Sequence, residues 1–310
     1  MSAGENSDFL SLDHSDIAAV DLLDPGSVDW PRVERTAFLV HQQLRYEYPG
    51  PVRDLRHRLM IIAPPEYGDQ RRVLHRVDVE CAAPSTTTSS EDEFGNLAFE
   101  VRVDSVPRVI AFEAWMVLER RPGFGPVRLP EGALTDQRYT GSTHLTQPDA
   151  ALEAVARTHL ESGERGLALA GALNQWVKET MRYAHDVTTV STTAAEAFSL
   201  GSGVCQDYAH IMLAMCRLCG LPARYVSGHL LGEGGTHAWV EVLIDGGEGD
   251  VVAHPLDPTH GVDAGPRHLT VAVGRDYADV APTSGTFTAA YPGELWTTKR
   301  VGVVQVDYTR

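Results

Sequence analysis

The sequence predicts an α+β protein, on three observations. From Val33 to Arg121 apolar residues recur with a period close to two; near Leu169 the period becomes helical; and after Pro222 three β-like stretches follow one another across Gly-rich turns. With 310 residues, 43% of them hydrophobic, the chain is long enough for one large domain or two of moderate size.

Taken in order, residues 1–30 carry several Asp and Glu among scattered apolar groups, the pattern of an acidic N-terminal segment loosely attached to the body. Residues 31–122 predict a β-rich, sandwich-like N-terminal domain. There Val40, Leu44, Tyr46 and Tyr48 alternate with polar residues, as do Val73, Val77, Val79 and Cys81, then Leu97, Phe99, Val101 and Val103. Tyr48-Pro49-Gly50-Pro51 and Phe94-Gly95-Asn96 are turn chemistry, and the Ser/Thr tract after Cys81-Ala82-Ala83-Pro84 is expected to be a solvated loop. Residues 123–160, rich in Gly and Pro as far as Pro148, are expected to be a connector.

Residues 161–310 predict the second domain, ending in a C-terminal strand extension. Leu169, Leu173, Trp176, Val177 and Thr180 fall at helical spacing, and Thr193-Ala194-Ala195-Glu196 is a capping-box pattern that opens a short second helix. A third helix begins at about Cys205 and stops at Gly220-Leu221-Pro222, where glycine supplies a left-handed cap and proline forbids continuation. Strands are predicted at 223–230, 237–244 and 251–257, with Val301–Val306 a last one.

Composition removes several function classes. A formal net charge of -16, with no Lys/Arg-rich stretch, repels phosphate backbones and argues against a nucleic-acid partner. No run approaches the roughly 20 apolar residues of a membrane helix, and the acidic start lacks the features of a secretory leader, so no membrane partner and a cytoplasmic location are expected. Cys81, Cys205, Cys216 and Cys219 are too few for a disulfide framework and read as free thiols.

The candidate chemistry centres on Cys205. On the third helix Cys205, Ala209, Met212, Cys216 and Cys219 form the apolar stripe, so the thiol is partly enclosed. In the first turn, unpaired N–H groups and the helix dipole stabilise a thiolate by about 0.3–1 kcal/mol. A buried small hydrophobe would occupy the same place, and the residues that follow decide between the two. His237 opens a strand with Trp239 on its own face, and a hairpin centred on Gly247 would put His237 opposite Asp257 and Ile244 opposite Asp250. A bulge would break that register. Cys, His and Asp in this order are the parts of an activated-thiol site.

Metal chemistry has weaker support. Cys216 and Cys219 lie in the last turns of the helix, about 16 Å from Cys205, without a second cysteine pair. His210, His229, His254 and His260 share one half of the chain but lack helical ligand spacing, so neither metal nor cofactor is expected. Gly232-Glu233-Gly234-Gly235 reads as a hairpin loop before His237.

Four stretches together resemble the bacterial transglutaminase-like superfamily: Gly203-Val204-Cys205-Gln206-Asp207-Tyr208-Ala209-His210, Leu221-Pro222-Ala223-Arg224-Tyr225-Val226-Ser227-Gly228, Thr236-His237-Ala238-Trp239-Val240-Glu241-Val242 and Asp257-Pro258-Thr259. The resemblance covers about residues 165–280, and the β-rich region before it resembles the N-terminal domain such proteins carry. It implies a papain-like core with a central helix packed on an antiparallel sheet. It also implies that Cys205 is the nucleophile, His237 the general base and acid, and Asp257 the residue that orients the imidazole. The activity expected first is hydrolysis of peptide or isopeptide bonds in a protein or peptide substrate through an acyl-enzyme on Cys205; the alternatives are transfer of a glutamine acyl group to an amine and a non-catalytic binding module.

Overall fold

The computed structural model describes residues 20–247 and 249–309; most of the expected acidic segment lies outside them. The N-terminal strands are β1 (Val33–Glu47), β2 (Val52–Ile62), β3 (Gln70–Cys81), β4 (Thr86–Glu91), β5 (Leu97–Val106) and β6 (Val109–Arg120). Their alternation is that of sheets with one packed face: Val101 and Val103 are buried while Arg102 and Asp104 are exposed.

The longer helices follow: α1 (Ala150–Glu161), α2 (Gly166–Thr180), α3 (Ala194–Leu200) and α4 (Cys205–Leu218). Then come strands β7 (Ala223–Leu230), β8 (His237–Gly247), β9 (Asp250–Asp257) and β10 (His268–Gly274), and finally β11 (Thr283–Thr288) and β12 (Glu294–Tyr308). Among the described residues no helix is long and apolar enough to cross a membrane.

Three sheets carry the fold. The first has the order β12-β1-β6-β3, with the short strand Glu66–Tyr67 at its edge, and the second β11-β2-β5-β4. They enclose a shared core in which Leu55, Leu59, Val101 and Val103 meet Phe38, Val40, Phe112 and Met116. The third sheet runs β9-β8-β7-β10, flanked at β9 by Val262–Asp263 and by Arg128–Pro130. On one of its faces lies α4, whose Tyr208, Ile211, Met212 and Met215 share a core with Tyr225, Ala238 and Val240, under α1, α2 and α3. Gln206 through Arg217 are all buried, so the central helix is surrounded on every side.

Three expectations are corrected. The extension expected on the second domain belongs to the sandwich: β11 pairs with β2, and β12 pairs with β1 from Val33↔Tyr308 to Glu47↔Glu294. Without β12, a strand of 15 residues would present an unpaired edge. The Ser/Thr tract is solvated but is a strand, β4, paired with β5; every residue of it is exposed, so it shows no apolar alternation. The expected connector contains α1, capped by Asp149 Oδ1 accepting from Leu152 N at 2.9 Å and anchored by buried Leu152 and Ala156.

Two amide side chains join the sandwich to edge strand β10. Gln70 donates to Thr270 O (2.8 Å) and accepts from Thr270 N (3.0 Å), and Asn96 does the same for Val273 O (2.7 Å) and N (2.8 Å). Each thus takes the place of a neighbouring strand on an edge that would otherwise be open.

Candidate active site

The start of α4 is fixed by a buried carboxylate. Asp207 Oδ2 accepts from Val204 N at 2.7 Å and from Thr188 Oγ1 at 2.7 Å. Burial raises the Asp207 carboxyl above its usual range, and both donors work against that rise. Gly203 is required beside it, since a Cβ there would overlap the Asp207 carboxylate. Gly201, at φ 61°, closes α3 in the left-handed conformation and turns the chain toward Cys205.

Cys205 is therefore held at the first position of α4. Half-buried, its Sγ lies 3.9 Å from the carbonyl oxygen of Thr236, the residue before His237. His237 opens β8 opposite Gly228 of β7. Its Nε2 donates to Asp257 Oδ2 at 2.8 Å, while Nδ1 faces Glu233 Oε2 at 3.4 Å. Trp239 stacks on the imidazole, ring centroids 6.2 Å apart at 29°.

The hairpin register differs from expectation. Ile244 faces Val252 and Val240 faces Leu256, with an irregularity between Asp245 and Gly247, so the pairing is two residues on from that predicted. A shift of two keeps side chains on their faces, whereas a shift of one would not. Asp257 therefore meets His237 diagonally across the sheet, a separation an imidazole spans.

Asp257 is a hub for N–H donors. Besides His237 it receives His260 Nδ1 at 2.8 Å and His268 Nε2 at 3.0 Å on the same Oδ2, and the Thr259 and His260 backbone N–H groups at 2.9 and 3.3 Å on Oδ1. Gly265 N donates to His268 Nδ1 at 3.1 Å, which leaves the ring proton on Nε2, facing Asp257. Burial alone would raise the Asp257 carboxyl, but the three imidazoles outweigh it and hold it well below its usual range. Burial would lower His237; Asp257 and the Cys205 thiol reverse that and push it up to about 10, an imidazolium at neutral pH. His268 goes the other way, pushed down chiefly by burial.

His237, Asp257 and His268 offer ligand atoms within 4.8 Å of one another. The two nitrogens aim at one carboxylate oxygen at 2.8 and 3.0 Å, the spacing of N–H···O bonds, and not at a shared centre about 2 Å from each. The donor set fits a hydrogen-bond network better than a metal. Of His210, His229, His254 and His260, His260 is the one that hydrogen-bonds to Asp257 among the described residues; Cys216 is buried in the core, where burial pushes its thiol up.

Of the three residues predicted from sequence, His237 and Asp257 are hydrogen-bonded to each other, and Cys205 meets the backbone of Thr236 just before His237. Sequence reasoning missed His268 and the roles of His260 and Glu233, whose Oε1 lies 3.2 Å from His260 Nε2. The spacing Asp257-Pro258-Thr259-His260, an imidazole three residues beyond a turn-forming Asp, was the one available signal; His268 comes from another strand and had none.

Comparison with known proteins bears on the family and the fold. The model of the transglutaminase-like superfamily core matches residues 153–248, and that of the bacterial transglutaminase-like N-terminal region matches residues 38–119. An uncharacterized protein of Mycobacterium bovis is 30% identical over 242 residues, 70% of this chain and 76% of its own length. The chain belongs to the transglutaminase-like superfamily. Its sequence is equally similar to an uncharacterized protein of Mycobacterium tuberculosis, and 33% identical over 156 residues to one of Mycobacterium leprae, where the match spans 47% of this chain and 53% of that one. A solved structure from Cytophaga hutchinsonii, described as a candidate cysteine protease, shares the fold of this transglutaminase-like chain with a TM-score of 0.66 at 18% identity, covering 89% of this chain and 93% of its own.

Proposed function

We propose that this transglutaminase-like protein is a thiol hydrolase that cleaves amide bonds of protein or peptide substrates through an acyl-enzyme on Cys205. The observation that carries this reading is one arrangement: a thiol at a helix start, its Sγ 3.9 Å from the carbonyl oxygen of Thr236, next to it in the chain the His237 imidazole, and a buried carboxylate 2.8 Å behind that imidazole. The Cys205 thiolate attacks the carboxamide carbon and forms a C–S bond; His237 gives its proton to the departing amine as the C–N bond breaks. Water, giving a proton to His237, then attacks the thioester, releases a carboxylate and restores the thiol. Asp257 fixes the ring orientation throughout. The backbone N–H of Cys205, at the helix N-terminus, is the natural donor to the oxyanion.

Hydrolysis is favoured over amine transfer because Cys205 is half-buried, not sealed, so solvent reaches the thioester without a second binding site. An amine in place of water would yield a new amide. Four free thiols fit a reducing compartment, and we place the protein in the cytoplasm. The deciding experiment captures a thioester on Cys205 by mass spectrometry from a peptide library, then partitions it between water and added amine. Cys205→Ala is expected to lose the adduct and to cut turnover by at least about 10⁴-fold. Absence of an adduct from every acyl donor would favour a binding module; release mostly as amide would favour transfer.

A further inference from the structure

The segment before α4 carries exposed apolar side chains that the mechanism does not use. Among the described residues, the large apolar side chains left exposed include Tyr183, Val187, Val190 and Leu200, all in the stretch 183–200, with Val190 60% exposed. Single exposed apolar residues are ordinary, but a concentration of them marks a contact face. Three hydrogen bonds tie this stretch to the start of α4. Ala184 N donates to Gly203 O at 2.9 Å, Thr188 Oγ1 to Asp207 Oδ2 at 2.7 Å, and Gln206 Nε2 to Val190 O at 3.3 Å. Gly203, Gln206 and Asp207 bracket Cys205 in the chain, so residues 184–190 run past the nucleophile. The Tyr183 ring lies 6.3 Å from that of Tyr208, about one turn along α4 from Cys205.

The backbone of the same segment offers a second feature. Arg182–Tyr183 pairs in parallel with Ser202–Gly203, and the two form a sheet of two strands. Arg182 N and Ala184 N give their bonds to Gly201 O and Gly203 O, at 3.0 and 2.9 Å. Successive residues of a strand aim their N–H and C=O groups at opposite edges, so those of Tyr183 lie on the edge that no other strand occupies among the described residues. An extended peptide can add to such an edge, main chain to main chain, with alternate side chains meeting the neighbouring surface. Tyr183 is 45% exposed and Cys205 is half-buried, so both are open to solvent.

We propose that residues 183–190 form the substrate wall beside Cys205 and select peptides with an apolar side chain next to the scissile amide. The peptide main chain bonds to the Tyr183 N–H and C=O, and its apolar side chain lies against Tyr183, Val187 and Val190. The proposal rests on Cys205 being the nucleophile. The occupant is a substrate because this face is continuous with the turn that presents the thiol: the pairing of Arg182–Tyr183 ends two residues before Cys205, and the Val190 carbonyl is held by the residue after it.

Alkylation of Cys205 by N-benzyl iodoacetamide and by iodoacetamide, read by peptide mass spectrometry on the full chain, tests this without a known substrate. The rate ratio of the benzyl reagent to the parent at Cys205 is expected to exceed that of free cysteine by about tenfold, which burial of roughly 55 Å² of apolar surface provides at about 25 cal/mol per Å². Tyr183→Ser, Val187→Ser and Val190→Ser together should abolish the excess, and Val190→Leu should keep it. An excess that survives the triple substitution overturns the proposal. If the triple variant loses cooperative unfolding, the wild-type ratio decides alone, and a value equal to that of free cysteine overturns the substrate wall. A face that instead joins two copies of the chain would give that same ratio together with a dimer in light scattering, and this too overturns the proposal. Failure of both reagents to label wild-type Cys205 would strike the nucleophile itself, and the substrate wall with it.

Discussion

Asp257 shows how one buried carboxylate can organise a site. Five N–H groups converge on it, and the strongest electrostatic consequence falls on His237, raised to about 10. A group raised in the folded state stabilises the fold fully below its unfolded value, about 6.5, and loses that contribution as pH climbs through the folded value. The His237 imidazolium is therefore predicted to persist to about pH 10, and kcat/KM to fall on the alkaline side near there. Asp257→Asn should move that limb to lower pH and cut kcat by about 10²–10⁴-fold. A pH–rate profile of the variant checks this, and a limb that stays in place would reject the role given to Asp257. Cys205, His237 and Asp257 were legible in the sequence because each stands at the marked end of an element. Glu233, His260 and His268 were not, because they meet through loops and a strand that only tertiary packing brings together.

At the scale of elements, the start of α4 is set by neighbours packed without slack. Gly203→Ala would press a methyl group into the Asp207 carboxylate that holds Val204 N. It is predicted to cost about 1–3 kcal/mol in urea denaturation and to slow alkylation of Cys205; unchanged values for both would show that the turn can yield. Helices α2, α3 and α4 could be read from apolar spacing, a capping box and a Gly-Leu-Pro stop, since each is amphipathic or clearly punctuated. Helix α1 escaped because Pro148 and the Gly-rich stretch before it suggest a connector, and its apolar contribution is a few residues on a polar surface. The β8–β9 register was misplaced by two because turn composition alone does not locate the irregularity between Asp245 and Gly247.

For the whole molecule, the decisive feature is that β11 and β12 close the sandwich begun by β1 and β2. Local patterns give a strand's existence but not its partner, so sequence reading left these residues with the wrong domain. A chain cut after Ala281 is predicted to expose two strand edges and to aggregate, as measured by light scattering and by loss of the cooperative unfolding transition. A monomeric product with an unchanged denaturant slope would contradict it. The pairing of β12 with β1 also has a consequence in time. On the ribosome, β1 through β6 emerge early but lack their outer partner until residues 294–308 follow, a delay on the order of ten seconds or more at ordinary elongation rates. A nascent polypeptide therefore holds the third sheet, with His237 and Asp257 on it, before the neighbouring sandwich is complete, so the finished cleft waits until synthesis is nearly done.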